Sequence, residues 1–314
     1  MNAYLSDLPT TIPEYLERLR RALDGCDRAL AQDALYDAED YLRSELAANP
    51  GKSEAEVIAG VAGSYGAPDE VADIYRDTEV KVQTALRAPP PPPRKSALGR
   101  FFGVIADART YASLFYMLLS LATGIFYFTW VVTGISMSFG LAILIIGIPF
   151  VILYFGSVRV LSLVEGRIVE VMLGERMPRR PLYEAPGKPW LKRIADMFTD
   201  PRTWSTQLYF LLMLPLGIAY FTVAVTLLSV SLSFIAAPVL AAFGSMDHGL
   251  YFGGDHISGA HMLLENRGDL WWQLPLLFVA GVVLLFATLH LARGIGQVHG
   301  RLAKHLLVHA SRDS

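Results

Sequence analysis

The chain contains two related segments, and this duplication limits what it can fold into more than any other feature. Residues 107–111, which read DARTY, lead into an apolar stretch at 114–133, and residues 200–204, DPRTW, lead into another at 208–226. An offset of 93 residues aligns the two copies and brings identical residues together, including Tyr116 with Tyr209 and Gly124 with Gly217. Since about 20 helical residues cross a hydrocarbon core of ~30 Å, each copy is long enough to span a membrane.

Composition supports a membrane protein with an acidic soluble part. Of the 314 residues 53% are hydrophobic and only 18% are charged, and the mean hydropathy is +0.38. Residues 1–88, here called the head, carry 17 acidic and 9 basic residues, a charge of −8, whereas the rest carries 12 and 18, a charge of +6. An acidic head disfavours direct nucleic-acid binding, which needs local positive charge. The single cysteine, Cys26, excludes an intrachain disulfide and a cysteine-based metal site.

The sequence predicts an all-α fold: a small helical head, and a membrane domain of two parallel duplicated hairpins. Residues 162–203, between the two hairpins, are rich in Arg and Lys, whereas the predicted turn at 134–138 has neither. By the positive-inside rule that connection and both termini face the cytosol, and we expect a multi-pass protein of the bacterial cytoplasmic membrane. The four predicted spans lie at about 111–134, 139–161, 205–228 and 271–292.

The second hairpin is longer than the first. Arg159, Gly166 and Arg167 match Arg293, Gly300 and Arg301 at an offset of 134, so 41 residues are inserted into the second copy. Part of the insert, residues 229–243, either completes a long tilted third span or dips into the outer leaflet. The remainder forms an outward loop at 245–269.

The head, over residues 11–86, reads as four short amphipathic helices. Ser53 and Glu56 have the spacing of a capping box, which predicts a helix start at this point. The helix predicted over 27–48 has a regular apolar stripe, and we expect its acids to lie on the solvated face: Asp33, Asp37, Glu39, Asp40 and Glu45.

Residues 89–95 form a proline-rich linker between the head and a membrane domain at 96–314. Its five consecutive prolines predict a polyproline II spacer of about 15 Å, which holds the head away from the membrane. A ligand for a proline-recognition domain is the alternative. Residues 94–106 mix basic and apolar side chains as an interfacial helix does.

Four segments of the head resemble the HAAS signalling domain, a helical module found beside PadR-type transcription regulators. They are residues 15–19 (YLERL), 40–42 (DYL), 51–58 (GKSEAEVI) and 66–72 (GAPDEVA). The resemblance implies a protein-interaction role, with a cytosolic regulator of the PadR type as partner of residues 11–86. Ser64 and Tyr65 depart from the family pattern, as an extra pair before Gly66.

The membrane half resembles the sensor domain found at the front of some bacterial histidine kinases and in kinase-free proteins. The resemblance covers roughly residues 100–308, through DPRTW at 200–204, YFLL at 209–212, PLG at 215–217 and EGR at 165–167. No phosphoacceptor helix or ATP lid follows these residues, so we expect the output to pass through the head.

Two sets of residues are candidate binding sites. The duplicated elbows Asp107/Arg109 and Asp200/Arg202 either cap helices and reach lipid phosphates, or form a site for an anionic lipid or effector. The outward loop is either an ordinary polar loop or a divalent-metal site, since it carries nitrogen and carboxylate ligands at His248, Asp255, His256, His261 and Glu265.

The function that these features favour is a membrane sensor and signalling adaptor. It would relay an envelope or lipid signal to a cytosolic regulator, contact membrane lipids, and possess no cofactor or enzymatic activity, because the sequence contains no recognisable catalytic motif. The sequence does not decide whether the protein forms a homodimer. The alternative is an accessory subunit of a transporter or a small channel, which needs small and polar residues facing a hydrated path: Thr123, Gly124, Thr129 and Thr133 against Gly217, Thr222 and Thr226. A lipid-acting enzyme that uses the elbow residues is a third reading.

Overall fold

The computed structural model describes residues 8–86, 96–141, 147–179, 199–242, 251–252, 255–256 and 273–308. Within these ranges the protein is helical, as predicted, apart from one pair of two-residue strands. Four helices form the head, namely α1 Ile12–Ala22, α2 Arg28–Ala48, α3 Glu54–Ala62 and α4 Pro68–Leu86. The rest comprises α5 Ala97–Phe102, a 3₁₀ turn at Gly103–Ala106, α6 Ala108–Leu141, α7 Gly147–Leu173, α8 Pro201–Ala242, β1 Tyr251–Phe252, β2 Asp255–His256 and α9 Gln273–Leu307.

Four of these helices, α6 to α9, are long and apolar enough to cross a membrane. Only 17–33% of their most apolar 18-residue windows is buried within the protein, and large apolar side chains such as Phe139, Leu153 and Val279 are exposed. Exposed apolar surface of this extent needs a nonpolar solvent. The chain is therefore a multi-pass membrane protein.

Contacts divide the chain into two compact units. The first comprises Met1–Pro90, Trp130–Phe210 and Gly300–Ser314, and the second comprises Pro91–Thr129 and Leu211–His299. The head thus belongs to the same unit as α7, the beginning of α8 and the end of α9.

The head packs around one apolar core, in which Tyr15, Leu19, Leu42 and Ile58 are fully buried. Its helices begin where the sequence predicts: Asp27 caps α2, and both hydrogen bonds of the capping box at Ser53 and Glu56 are present. The extra residue Tyr65 stacks on Tyr41 at 4.7 Å between ring centroids. Gly66 follows with φ +114°, which other residues rarely adopt, and its carbonyl accepts a 2.7 Å hydrogen bond from the Tyr15 hydroxyl.

The predicted turn at 134–138 is wrong, because α6 continues without interruption to Leu141. Gly134 makes room for a neighbouring helix and not for a turn, because a Cβ there would collide with the ring of Tyr154. Ser138 bonds back to the Gly134 carbonyl at 2.7 Å, as hydroxyls do inside helices. The second span is likewise longer than predicted, since α7 runs to Leu173.

The open question over residues 229–243 is resolved for most of that segment. Helix α8 continues through Pro215 and Pro238 to Ala242, so residues 229–242 extend the third long helix and do not form a separate element. Of the outward loop, only the backbone of the short β1–β2 hairpin is described.

Helices α6 and α8 cross at the two glycines that the duplication aligns. A Cβ on Gly124 would collide with the backbone of Met213, and a Cβ on Gly217 would collide with the backbone of Ser120. The two contacts are equivalent under the 93-residue offset, so the helices touch backbone to backbone about a local twofold axis. Close crossings of this kind are a common way for membrane helices to pack.

We expect Gly217→Ala to destabilise the membrane domain by about 1–3 kcal/mol, because the added methyl group must push the two backbones apart. Gly140→Ala in α6 is the control, since its Cβ would meet nothing within 4 Å. Thermal unfolding of the full chain in lipid nanodiscs measures both. An unchanged or higher Tm for Gly217→Ala would contradict the close crossing.

Acid should loosen the start of α3 through Glu56. The Ser53 amide donates to the Glu56 carboxylate at 2.8 Å and lowers the pKa of that group. A depressed folded-state pKa means that the stabilisation is present above the ordinary pKa and is lost as the pH falls through the folded value. Amide hydrogen exchange at Ser53 should therefore accelerate in acid in the wild type, and this acid step should be absent from Glu56→Gln but retained in Glu45→Gln.

Candidate functional site

The residues after α7 form a polar contact with the head. Gly174, with φ +76°, ends α7, and its amide bonds to the Glu170 carbonyl at 3.1 Å. The chain then runs on through Arg176 and Arg179 beside α2 and α4. We call the group Asp33, Glu79, Glu170, Arg176 and Arg179 the Arg176 clasp.

Arg176 lies between carboxylates from three helices. Its Nη2 donates to Asp33 Oδ2 at 3.0 Å, and its Nη1 to Glu170 Oε1 at 3.4 Å. Its Nε lies 3.2 Å from Glu79 Oε1, but the N–H is not directed at that oxygen, so this contact is an ion pair and not a hydrogen bond. The Arg179 backbone amide adds a 2.6 Å hydrogen bond to Asp33 Oδ1.

The centre of the clasp is buried, which makes the removal of one of its charges costly. The side chains of Arg176 and Asp33 are only 11% and 7% exposed. A charge removed from water must be compensated by close partners, and breaking one side of such a pair is far costlier than breaking a surface ion pair. A second tie joins Lys304 near the end of α9 to Asp27, the capping residue of α2.

These contacts correct one prediction, on the placement of Asp33. Asp33 was expected on the solvated face of its helix with the other acids, but it is buried because it accepts from Arg176 and Arg179. The proline-rich linker lies outside the described residues, and its role in holding the head off the membrane stays a prediction. The head itself is in direct contact with the segment after α7 and with α9.

A cavity next to the clasp contains one of the predicted elbows. Its wall includes Asp200 and Arg202 from the start of α8, Arg159 from α7, Gln32 from the head and the Met177–Pro178 segment. Asp200 caps α8 by accepting from the Arg202 amide at 3.0 Å. It also interacts electrostatically with both arginines. We call this the Arg202 cavity.

The other predicted elbow has the same backbone geometry but a different charge arrangement. Asp107 accepts from the Arg109 amide at 3.1 Å and forms an ion pair with Arg293, also at 3.1 Å. The side chain of Arg109 is exposed, whereas that of Arg202 is half-buried. The aspartates thus act as helix caps in both copies. A role of these four residues in lipid or ligand binding stays a prediction.

The duplication also creates two buried polar pairs that sequence reasoning missed. The hydroxyl of Tyr116 lies 2.7 Å from Nε2 of His299, while the hydroxyl of Tyr209 donates to Glu165 Oε1 at 2.9 Å. All four side chains are 0–1% exposed. Under the offsets of 93 and 134, Tyr116 corresponds to Tyr209 and Glu165 to His299, so both contacts join the first helix of one copy to the second helix of the other.

Tyr220 places a second hydroxyl at the His299 ring. It lies 3.3 Å from Nδ1, so each ring nitrogen of His299 faces one tyrosine hydroxyl. A neutral imidazole has one donor and one acceptor nitrogen, and hydroxyls can serve either, so this arrangement satisfies both tautomers. The match of Gly166-Arg167 to Gly300-Arg301 was the signal that could have located these pairs, because Glu165 and His299 directly precede those dipeptides.

The proposed metal site in the outward loop lies mostly beyond the described part of the chain. His248, His261 and Glu265 are outside it, and Asp255 and His256 are described only as backbone of β2. Among the residues that the structure describes, no group of three or more His, Cys, Asp or Glu is placed to hold a metal ion. The loop site stays a prediction.

The model of one protein family, described as "Putative sensor", matches residues 116–307. This match covers more than half of the chain, from within α6 to the end of α9, and the chain belongs to this family. No curated protein and no solved structure gives a match. The family match begins beyond the head, and the resemblance of residues 11–86 to the HAAS domain stays a prediction.

Removing Arg176 should loosen the head more than removing the charge of Asp33. Arg176→Ala leaves Asp33, Glu79 and Glu170 together without their shared cation, and we expect a cost of roughly 3 kcal/mol in head docking. Asp33→Asn leaves Arg176 paired with two carboxylates and costs less. Amide hydrogen exchange of α2 in the full chain measures docking, and equal protection in both variants would contradict the clasp.

Proposed function

We propose that this member of the sensor family is a signalling adaptor of the bacterial cytoplasmic membrane, which relays a signal from the bilayer or envelope to a cytosolic partner of the head. The Arg176 clasp is the observation that supports this most directly. It connects the head to α7 through Glu170, and Lys304 connects the head to α9. A displacement of these helix ends therefore changes the ion pairs that hold the head.

The buried network suits a two-state relay. Arg176 needs all its carboxylates at about 3 Å to offset its lost hydration, so a small helix shift removes much of the stabilisation at once. A signal can move such an equilibrium only by its difference in affinity for the clasped and the released state. Because the ion pairs of Arg176 weaken steeply with distance, a small helix movement gives a large difference in free energy between the clasped and the released state.

The charges of the sequence support the proposed orientation. The connection between the hairpins carries the excess of Arg and Lys, and the positive-inside rule favours a cytosolic position for it, for the head and for the end of α9. The clasp arginines Arg176 and Arg179 belong to this connection, so the residues that favour the orientation also bind the acidic head.

A PadR-type transcription regulator is the partner that the HAAS resemblance implies. The acidic head disfavours DNA as a direct ligand, whereas a regulator protein can bind its helices. In the clasped state, the face of α2 that contains Asp33 is covered by residues 176–179. Release of the head would expose this face, and we propose that the released head binds the regulator.

The close crossing at Gly124 and Gly217 does not favour the channel or transporter reading. That reading needs a hydrated path between α6 and α8, past the threonines of both copies. At the crossing the two backbones are in contact, which leaves no room there for water between these helices.

The test compares regulator binding by the full chain in lipid nanodiscs before and after the clasp is weakened. We expect Asp33→Asn to increase the capture of a purified PadR-type regulator from the same genome several-fold, because it shifts the head towards the released state. Asp40→Asn is the matched control, since it removes the same charge from an exposed position of the same helix.

Two results would refute this proposal. One is that neither the wild type nor Asp33→Asn binds any PadR-type regulator of that genome. The other is that Asp33→Asn and Asp40→Asn change binding equally, which would indicate a general effect of head charge and no role of the clasp.

A further inference from the structure

The two elbows of the duplicated module have diverged in how their charges are used. In the first copy Asp107 is ion-paired with Arg293 at 3.1 Å, and Arg109 points away as an exposed side chain. In the second copy the corresponding arginine, Arg202, is half-buried in the wall of the Arg202 cavity. Identical sequence positions therefore present a solvated cation in one copy and a cation enclosed in a cavity in the other.

The charge of this cavity is unbalanced towards positive. Among the lining residues that the structure describes, Arg159 and Arg202 face one acid, Asp200, which already accepts from the Arg202 amide to cap α8. Arg20 of the head adds a like charge near Arg202. The guanidinium of Arg202 makes no hydrogen bond or ion pair with the described part of the chain. Among the described residues, the carboxylate that acts on this half-buried guanidinium is Asp200, which it shares with Arg159, and this arrangement is favourable to an anionic ligand.

Neutral hydrogen-bonding groups surround the arginines. Thr203 and Thr206 from α8 line the same cavity and bring hydroxyl groups to its wall. Ser162 from α7 also lines it, but its hydroxyl already donates to the Arg159 carbonyl at 2.7 Å. Two guanidinium groups with nearby hydroxyls suit the oxygens of a phosphate, which arginine binds through two parallel hydrogen bonds. The apolar side chains of Val158, Leu163 and Leu307 line the remainder.

We propose that the Arg202 cavity binds the phosphate of an anionic phospholipid headgroup. The cavity lies where α8 begins, at the end of a membrane-competent helix, where lipid phosphates are found. Its apolar wall accommodates the glycerol and the beginning of an acyl chain. The inference deepens the proposed sensor function, on which it rests, by naming the ligand class that the membrane domain recognises.

This ligand would act directly on the clasp. Gln32 and Met177–Pro178 line the cavity, and they adjoin the clasp residues Asp33, Arg176 and Arg179 in the chain. A phosphate between Arg159 and Arg202 screens the repulsion between Arg202 and Arg20, and so favours the docked head. Anionic lipid is therefore expected to stabilise the clasped state, and its depletion to release the head.

The experiment measures lipid preference by native mass spectrometry of the full chain released from nanodiscs of phosphatidylcholine with phosphatidylglycerol. Arg202→Gln should lower the retention of phosphatidylglycerol relative to phosphatidylcholine about tenfold. Arg109→Gln is the matched control, because it removes the same charge from the equivalent, exposed elbow. Equal losses in the two variants, or no loss in either, would overturn the proposal.

Two further arms keep the test decisive. Arg202→Lys retains the charge but not the paired donors of a guanidinium, so it should lose part of the preference. If Arg202→Gln does not fold, an unchanged preference in Arg202→Lys overturns the proposal. Inorganic phosphate added to the wild type identifies the source: lipid retained in excess phosphate supports the headgroup, and lipid displaced by it assigns the cavity to a soluble phosphate and refutes the lipid.

Hydrogen exchange of α2 separates this proposal from the function on which it rests. Protection that rises with phosphatidylglycerol in the wild type but not in Arg202→Gln supports both. If the wild type prefers phosphatidylglycerol but the protection of α2 does not change with this lipid, the lipid site is supported and its coupling to the head is refuted. If Arg176→Ala releases the head but the wild type shows no preference for phosphatidylglycerol, the clasp is supported and the lipid site is refuted.

Discussion

The guanidinium of Arg176 contacts carboxylates from α2, α4 and α7, and the position of the head depends on this contact. Burial removes the hydration of these charges, and only well-placed ion pairs compensate for this loss. The clasp therefore favours one docked position of the head over nearby alternatives. The clasp contributes little net stability, but its free energy changes strongly when the helices shift by a small distance. The same feature explains why a relay would be built on ion pairs, since an apolar contact tolerates small shifts that a buried ion pair does not.

The two segments that the 93-residue offset aligns share their helix-packing contacts but differ in the chemistry of their side chains. The backbone contacts at Gly124 and Gly217 are equivalent in the two copies, because close helix crossing leaves no room for another residue. Side chains away from that crossing have diverged. Tyr116 faces a histidine where Tyr209 faces a carboxyl group, and one elbow is ion-paired while the other lines a cavity. We propose that this divergence allows one copy to maintain the frame while the other binds a ligand.

Several elements could be read from the sequence because their causes are local. The capping box at Ser53 and Glu56 and the aspartate caps of α6 and α8 depend on residues two or three positions apart. The four apolar stretches exceed the length that a bilayer needs, so their existence was evident although their ends were not. The turn predicted at 134–138 failed because Gly134 serves the approach of Tyr154, which is 20 residues distant in the chain.

The sequence by itself determined the helical class, the duplicated hairpins and the acidic, helical head, since hydrophobic length, periodicity and charge are properties of the chain alone. Only the tertiary structure decided which charges meet. Asp33 resembles its exposed neighbours in sequence, and its burial follows from Arg176, which lies 143 residues further along. Arg109 and Arg202 occupy equivalent positions, and only the surrounding chain distinguishes an exposed cation from a cavity wall. Pairing over such separations depends on the path of the folded chain, which no local pattern encodes.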